Sequence, residues 1–537
     1  MRRRHWIIIT GFGLTAMFGY WLAGTATPDP PTKSPPKVAK VQARRSAGAD
    51  DPAPKFRTGD RVPGFQRDED AMANGALPGQ RILTFTDQAS LEAFLQRAGD
   101  RISVLGRLDA LNALRIGFSD FLDLASLLDG TEEESLIFPV DIPVPGNASA
   151  QAGAVPLGAG LLEWLGVSMD NSAWGAGVRI AVLDTGVTSN RAFSSSISAL
   201  NLVGLPADLA DQNGHGTAVA SMIIGQSSLT PGVAPGAEIL SIRIANDLGQ
   251  SNSFLLAQGI IAAVDGGAQL INISMGSLGD SGLVRSAIEY AHAAGAMIIA
   301  AAGNNGLDRV SYPAANHGVI AVGAVDALGN HLDFSNTGSE IAISAPGYGV
   351  NAAWTGNMAA SVSGTSFSSP IIAGAIAALM SRPGEPQLTA QQASNLLFSY
   401  LNDGGAEGTD TAYGAGMPDI GRALNGTTSG IFDAAVASQR VIEPTTANPS
   451  GQLEVLVQNR GTETLVNTNV NVTTPSGVVN SNITSLRPGE TRTVKVPIAY
   501  QPDSSVRFES SVSLSNGRQD IKPSNDRRSE IFAPTTK

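Results

Sequence analysis

Cysteine is absent from the 537 residues. No disulfide framework, cysteine-ligated zinc or iron–sulfur site, or thiol nucleophile can be built, so any covalent chemistry must pass through oxygen or nitrogen. Charge is also sparse: Asp, Glu, Lys and Arg make up 15% of the chain, against roughly 25% in ordinary soluble domains. Aromatic residues are 5% and histidines number five. Hydrophobic residues at 42%, with 60 glycines, separate the chain from disordered proteins, which combine few apolar residues with high charge. At about 150 residues per domain the length allows roughly three to four units, with room for one large core.

The net charge of −12 is unevenly distributed. Residues 1–57 hold ten Lys/Arg and three Asp, which puts +7 there and −19 on residues 58–537. An acidic body argues against a nucleic-acid partner. The basic end leads into Trp6–Ala23, eighteen uncharged and mostly apolar residues after Arg2, Arg3, Arg4 and His5. This is the pattern of an export signal, either cleaved near Gly24 or Ala26 or kept as an anchor that holds residues 6–23 in a membrane. Both place the remainder outside the cytoplasm. Residues 1–26 are assigned to it, and 27–77 to an extended spacer with seven prolines between positions 28 and 57.

Four further segments follow. Residues 78–130 read as a small α+β unit in the order β-α-β-β-α: a strand at 81–85, a helix at 87–98, strands at 102–105 and 114–118, and a helix at 121–128. So short a unit buries little core alone and is expected to lean on a partner surface. Residues 131–160, with Pro139, Pro143, Pro145 and Pro156, read as an exposed connector open to processing. From 161 to 427, short Val/Ile/Ala runs alternate with Ala-rich helical stretches, as in an α/β domain with a parallel sheet covered on both faces by helices. Residues 432–537 alternate apolar with polar over several runs separated by turns, the pattern of an antiparallel β-sandwich.

Three motifs carry chemistry together. Ile180-Ala-Val-Leu-Asp184-Thr-Gly ends a buried strand on a carboxylate, where open α/β sheets gather active residues. Asp211-Gln-Asn-Gly-His215-Gly-Thr-Ala sets a histidine between glycines at the start of a helix; His292, His317 and His331 have no comparable setting. Ser363-Gly-Thr-Ser366-Phe-Ser-Ser-Pro370 places a serine where a loop enters an apolar helix, with Ser368 or Ser369 expected as N-cap. The order Asp, His, Ser has spacings of 31 and 151 residues. In that order the three can serve as orienting carboxylate, general base and nucleophilic serine.

On these motifs, residues 161–427 resemble the catalytic domain of the subtilisin-like serine proteases. The resemblance implies a triad of Asp184, His215 and Ser366, with Asn304 in Ala301-Ala-Gly-Asn-Asn-Gly306 and the Ser366 N–H as oxyanion donors. Ser274, Met275 and Gly276 are similar to the family's substrate-binding strand, and Asn246–Gly249 to the strand opposite. Ser311 then floors the first specificity pocket, favouring an apolar or mid-sized side chain over Arg or Lys. The 78–130 unit is similar to the family's inhibitory prodomain, and 432–537 to CARDB or fibronectin-like modules. The loop Gly225–Gly232 is short and lacks the asparagines that hold calcium in secreted relatives, so no metal or other cofactor is assigned. The expected protein is an exported, self-processed serine endopeptidase acting on protein or peptide substrates, with its own prodomain as partner. The alternative is a catalytically silent binding protein on the same scaffold. A lipase or esterase is disfavoured because Gly-x-Ser-x-Gly and a C-terminal His are missing.

Overall fold

The computed structural model describes residues 72–73, 75–129, 132–143, 153–194, 196–204, 212–382, 384–444, 451–498, 505–515 and 517–532. The expected export signal and most of the spacer lie outside them. Among the described residues no helix is long and apolar enough to cross a membrane.

The first unit contains β1 (Gln80–Phe85), α1 (Gln88–Ala98), β2 (Ser103–Leu108), β3 (Ala113–Gly117), α2 (Phe121–Ala125) and β4 (Glu132–Ser135), with an antiparallel sheet in the order β2-β3-β1-β4. Asp87 caps α1, its carboxylate accepting from the Ser90 N–H at 2.8 Å. The period-two alternation of β1 and β3 divides their side chains between two faces. Leu83, Phe85, Leu114 and Ile116 pack on Leu91, Phe94 and Leu124 of the unit's own helices. Ile82, Leu108 and Ala113 join a second core. Two sequence expectations are corrected here. α2 ends at Ala125 rather than 128, where the Ser126 hydroxyl turns back to the Asp123 carbonyl. The segment read as a connector from 131 contributes β4 and a further strand, β5 (Pro139–Asp141).

The large sheet has seven parallel strands: β6 (Arg179–Asp184), β7 (Ile197–Asn201), β8 (Glu238–Arg243), β10 (Leu270–Ile273), β11 (Met297–Ala301), β12 (Ile320–Val325) and β13 (Ile341–Pro346). β9 (Gln250–Asn252) stands apart and pairs with β5. The sheet order is β13-β12-β11-β10-β6-β8-β7, with parallel register throughout. Its apolar strands need cover on both faces. On one side lie α3 (His215–Ile224) and the wholly buried α6 (Thr365–Met380), which share a core with Ile180, Val182 and Ile299. On the other lie α4 (Ser253–Asp265) and α5 (Gly282–Ala293), packed with Ala181, Leu183 and Ile271. Phe254, Leu283 and Val284 of these helices are in the core that Ile82, Leu108 and Ala113 enter, so α4 and α5 supply the partner surface the small unit needed.

The last region forms two facing antiparallel sheets. One has the order β14-β15-β18, from Ala434–Ile442, Gly451–Asn459 and Thr491–Ile498. The other has the order β17-β16-β19-β20, from Gly477–Leu486, Leu465–Thr474, Val506–Ser513 and Arg527–Phe532. Leu453, Val455, Val470, Val472, Val496 and Phe508 fill the space between them.

Candidate active site

Three elements meet at one point: β6 ends there, and two helices, α3 and α6, start there. β6 carries Asp184 on its last residue, fully buried, with one carboxylate oxygen taking the Thr185 N–H at 2.7 Å. His215 opens α3 and presents Nδ1 to both carboxylate oxygens at 2.9 and 3.0 Å. Its flanking glycines are required by space: a Cβ on Gly214 would lie 2.6 Å from the Trp354 ring, and one on Gly216 2.1 Å from the Gly186 carbonyl. Ser366 is the second residue of α6, at the positive end of that helix, and is 1% exposed. The N-cap is Gly364, with φ of 140°. Ser368 and Ser369, expected as caps, lie inside the helix, where Ser368 donates to the Ala345 carbonyl and Ser369 Oγ lies 3.1 Å from Ser274 Oγ. Glycine at the junction supplies a backbone angle a serine cannot easily adopt.

The serine is not hydrogen-bonded to the histidine. Ser366 Oγ donates to the Ser274 carbonyl at 3.1 Å, while His215 Nε2 has no hydrogen-bond partner. Ser274 Oγ in turn donates to the Ser366 carbonyl at 2.7 Å, tying the strand after β10 to the start of α6.

Asn304 is buried beside this junction. Its side-chain oxygen takes the Thr365 N–H and the Thr365 hydroxyl, both at 2.8 Å, which turns its amide N–H₂ outward. That group donates to the carbonyl of Pro143 at 2.5 Å. Pro143 follows β5, and β5 lies as an added strand in the cleft. It pairs antiparallel with β9, and Asp141 exchanges both backbone bonds with Gly276, at 3.0 and 2.9 Å. Ile142 N–H reaches the Gly249 carbonyl at 3.1 Å.

Gly276 therefore contributes backbone to the cleft, whereas the Met275 side chain points into the core. The strand opposite is Gly249–Asn252. Asn246–Gly249, expected in that role, closes as a turn, with Gly249 N–H on the Asn246 carbonyl at 2.9 Å and the Asn246 side chain taking the Leu248 and Gln250 N–H groups. Ser311 sits against Gly276 and Gly303, 4% exposed, its hydroxyl 3.3 Å from Asn336 Nδ2. The sequence reading missed two parts of this site, Thr365 and the tail 139–143. Thr365 had a signal, since it precedes the serine in the quoted motif; the tail had none beyond its prolines.

Elsewhere, His292 bonds the Gly318 carbonyl and His317 is exposed. His331 is not a bare turn residue: it packs against Tyr413, and burial lowers its pKa. The loop 225–232 forms a tight hairpin, and among the described residues no group of three or more His, Asp or Glu could hold a metal ion.

A seven-stranded parallel sheet covered by helices, with Asp184, His215 and Ser366 gathered at the C-terminal end of its strands, is the arrangement of a hydrolase of the serine-protease class. The chain belongs to the subtilase family, peptidase S8, whose profile matches residues 175–416, and it is a serine-type endopeptidase. It is similar to the thermostable alkaline protease of Halalkalibacterium halodurans, 39% identical over 253 residues that span 47% of this chain and 68% of that protein. Subtilisin DY of Bacillus licheniformis is 34% identical over 252 residues, 46% of this chain and 90% of that protein. Among solved structures, the epidermin leader peptide processing serine protease of Staphylococcus aureus shares the fold, with a TM-score of 0.54 at 21% identity, over 65% of this chain and 99% of that one.

Proposed function

We propose that this endopeptidase is exported, is made as a zymogen, and cleaves peptide bonds through Asp184, His215 and Ser366. The observation that carries the reading is the meeting of His215 on the Asp184 carboxylate with a peptide carbonyl held by Asn304 beside Ser366. In the reaction, His215 Nε2 takes the Ser366 proton as Oγ bonds to the scissile carbonyl carbon. Asp184 fixes the tautomer and stabilises the imidazolium. Asn304 Nδ2 and the Ser366 N–H hold the oxyanion. The C–N bond then breaks, His215 returns the proton to the leaving nitrogen, and water repeats the sequence on the acyl-enzyme. No step needs a cofactor or a metal.

Protein or peptide substrates would lie where residues 139–143 lie, adding a strand between Gly276 and Gly249–Asn252. The 78–143 segment acts as the chain's own inhibitor, packed on α4 and α5 with its end in the cleft. Residues 6–23 direct export, so the enzyme works outside the cytoplasm, either free or tied to a membrane.

Two measurements test the reading. A fluorophosphonate probe should label the processed wild type and leave Ser366→Ala unlabelled; label that survives the substitution removes Ser366 as nucleophile. Small, neutral Ser311 with Gly276 and Gly303 beside it should favour apolar or mid-sized residues before the cut bond, and a peptide library cleaved chiefly after Arg or Lys would overturn that assignment.

A further inference from the structure

The tail in the cleft carries a proline at the one position where the backbone N–H matters most. Asp141 and Gly276 form a hydrogen-bonded antiparallel pair, exchanging both bonds. Such pairs recur every second residue, so continuing the ladder sets residue 143 against Ser274. A residue with an N–H there would donate to the Ser274 carbonyl. Pro143 has no N–H to give, and the Ser366 hydroxyl takes the Ser274 carbonyl instead, at 3.1 Å. His215 Nε2 is left without a partner. The Pro143 carbonyl is nonetheless in reach of Asn304 Nδ2, at 2.5 Å.

We propose that Pro143 is a brake on self-processing: it lets the tail occupy the cleft in substrate register while leaving the Ser274 carbonyl free to draw the Ser366 hydroxyl away from His215. This rests on the protease reading above and specifies how its zymogen is kept shut. In the cleavage that is opposed, Ser366 Oγ bonds to the Pro143 carbonyl carbon as its proton passes to His215. The bond from that carbon to the nitrogen of residue 144 breaks, and the nitrogen leaves with the proton. Two features slow the first step. The hydroxyl hydrogen points at Ser274 rather than at the base, and the scissile residue lacks one of the bonds that would fix it for attack.

The test uses the full chain, purified as wild type, Pro143→Ala and Pro143→Leu. Both variants restore the N–H, and two side chains guard against one of them failing to fold. Cleavage after residue 143 is followed by gel and by N-terminal sequencing, with Ser366→Ala/Pro143→Ala as the uncut control. Both variants should be cut about tenfold faster than wild type, the rate equivalent of one hydrogen bond gained in the reacting geometry. Cleavage of wild type after residue 143 as fast as in the variants would overturn the brake. So would variants that take the fluorophosphonate label on Ser366 yet are cut no faster, a result that leaves the protease reading standing. Cleavage of the double variant after residue 143 would instead remove Ser366 as the nucleophile, and the protease reading and the brake with it.

Discussion

Thr365 stands to Asn304 as Asp184 stands to His215: each fixes a side chain so that its other end faces the cleft. Asn304 could present either its oxygen or its nitrogen to a peptide carbonyl, and only the nitrogen donates. The Thr365 N–H and hydroxyl settle the choice by taking the oxygen, both at 2.8 Å, while the same hydroxyl accepts the Gly303 N–H at 3.2 Å. Replacing Thr365 with the near-isosteric Val removes the hydroxyl and keeps the backbone bond. The two lost bonds, to Asn304 Oδ1 and from the Gly303 N–H, together about 1–2 kcal/mol, act where charge develops. We expect kcat to fall about tenfold with KM little changed; a rise in KM at constant kcat would show that Thr365 serves ground-state binding instead. The setting of His215 was legible because its motif carries glycines that the packing requires, such as Gly216 against the Gly186 carbonyl. The Thr365–Asn304 and Ser366–Ser274 contacts were not, because they depend on the start of α6 meeting the ends of strands distant in sequence.

At the scale of elements, the same contrast separates what period and composition announce from what only pairing creates. The helix at His215–Ile224 and the strand at Leu270–Ile273 fall within the alternation that the sequence announces for 161–427, since both are short apolar runs bounded by glycine or polar residues. β4 escaped because it reads Glu132-Glu-Glu-Ser135. It is an edge strand paired with β1 and tied by Arg81 of β1 on Glu134 at 2.9 Å and Arg97 of α1 on Glu132 at 2.8 Å. β5 escaped because Pro139 opens it, and an edge strand tolerates a proline at its first residue. The partner surface was foreseeable only in kind; that it would be α4 and α5 required the fold. The small sheet and α4 pack closely at Gly106 of β2, where a Cβ would fall 2.6 Å from the Phe254 ring. Gly106→Val should therefore push the small sheet off α4 at a cost of about 1–3 kcal/mol, as overpacking does. In hydrogen exchange of the full chain, the Asp141 and Gly276 amides should open roughly 5- to 150-fold faster than in wild type. Unchanged protection of both would mean that the cleft holds the tail without help from the sheet.

Across the whole molecule, the β-sandwich is joined to the catalytic unit through polar contacts. Gln458 takes the Asp403 N–H at 3.1 Å and gives its own N–H₂ to the Leu401 carbonyl, and Arg422 spans the seam to the Arg460 carbonyl at 3.0 Å. Ser438 reaches the Gly405 carbonyl and Thr493 the Glu407 carboxylate. Asp403 lies in the middle of these, 6% exposed. Burial pushes its carboxyl up to about 6, the Gly408 and Gly404 N–H groups opposing the shift and Asp410 and Glu407 adding to it. The folded state thus binds this proton more tightly than the unfolded chain, whose value is 3.8. Between about pH 4 and pH 6 the folded protein holds a proton that the unfolded one has lost, so this group's contribution to stability declines as pH rises through that window and is lowest above it. Asp526, pushed up to about 7 by burial and by Asp520 and Asp433, acts in the same direction. Asp403→Asn keeps the neutral form at every pH. The melting temperature of the variant, measured on the Ser366→Ala background to prevent self-digestion, should lie closest to that of its parent well below pH 4, where Asp403 is protonated in both states. It should exceed the parent at pH 8, with a shallower pH slope between 4 and 6. An identical slope in the two proteins would mean that the Asp403 carboxyl ionises in the folded state as freely as in the unfolded chain, and that the seam does not resist its charge.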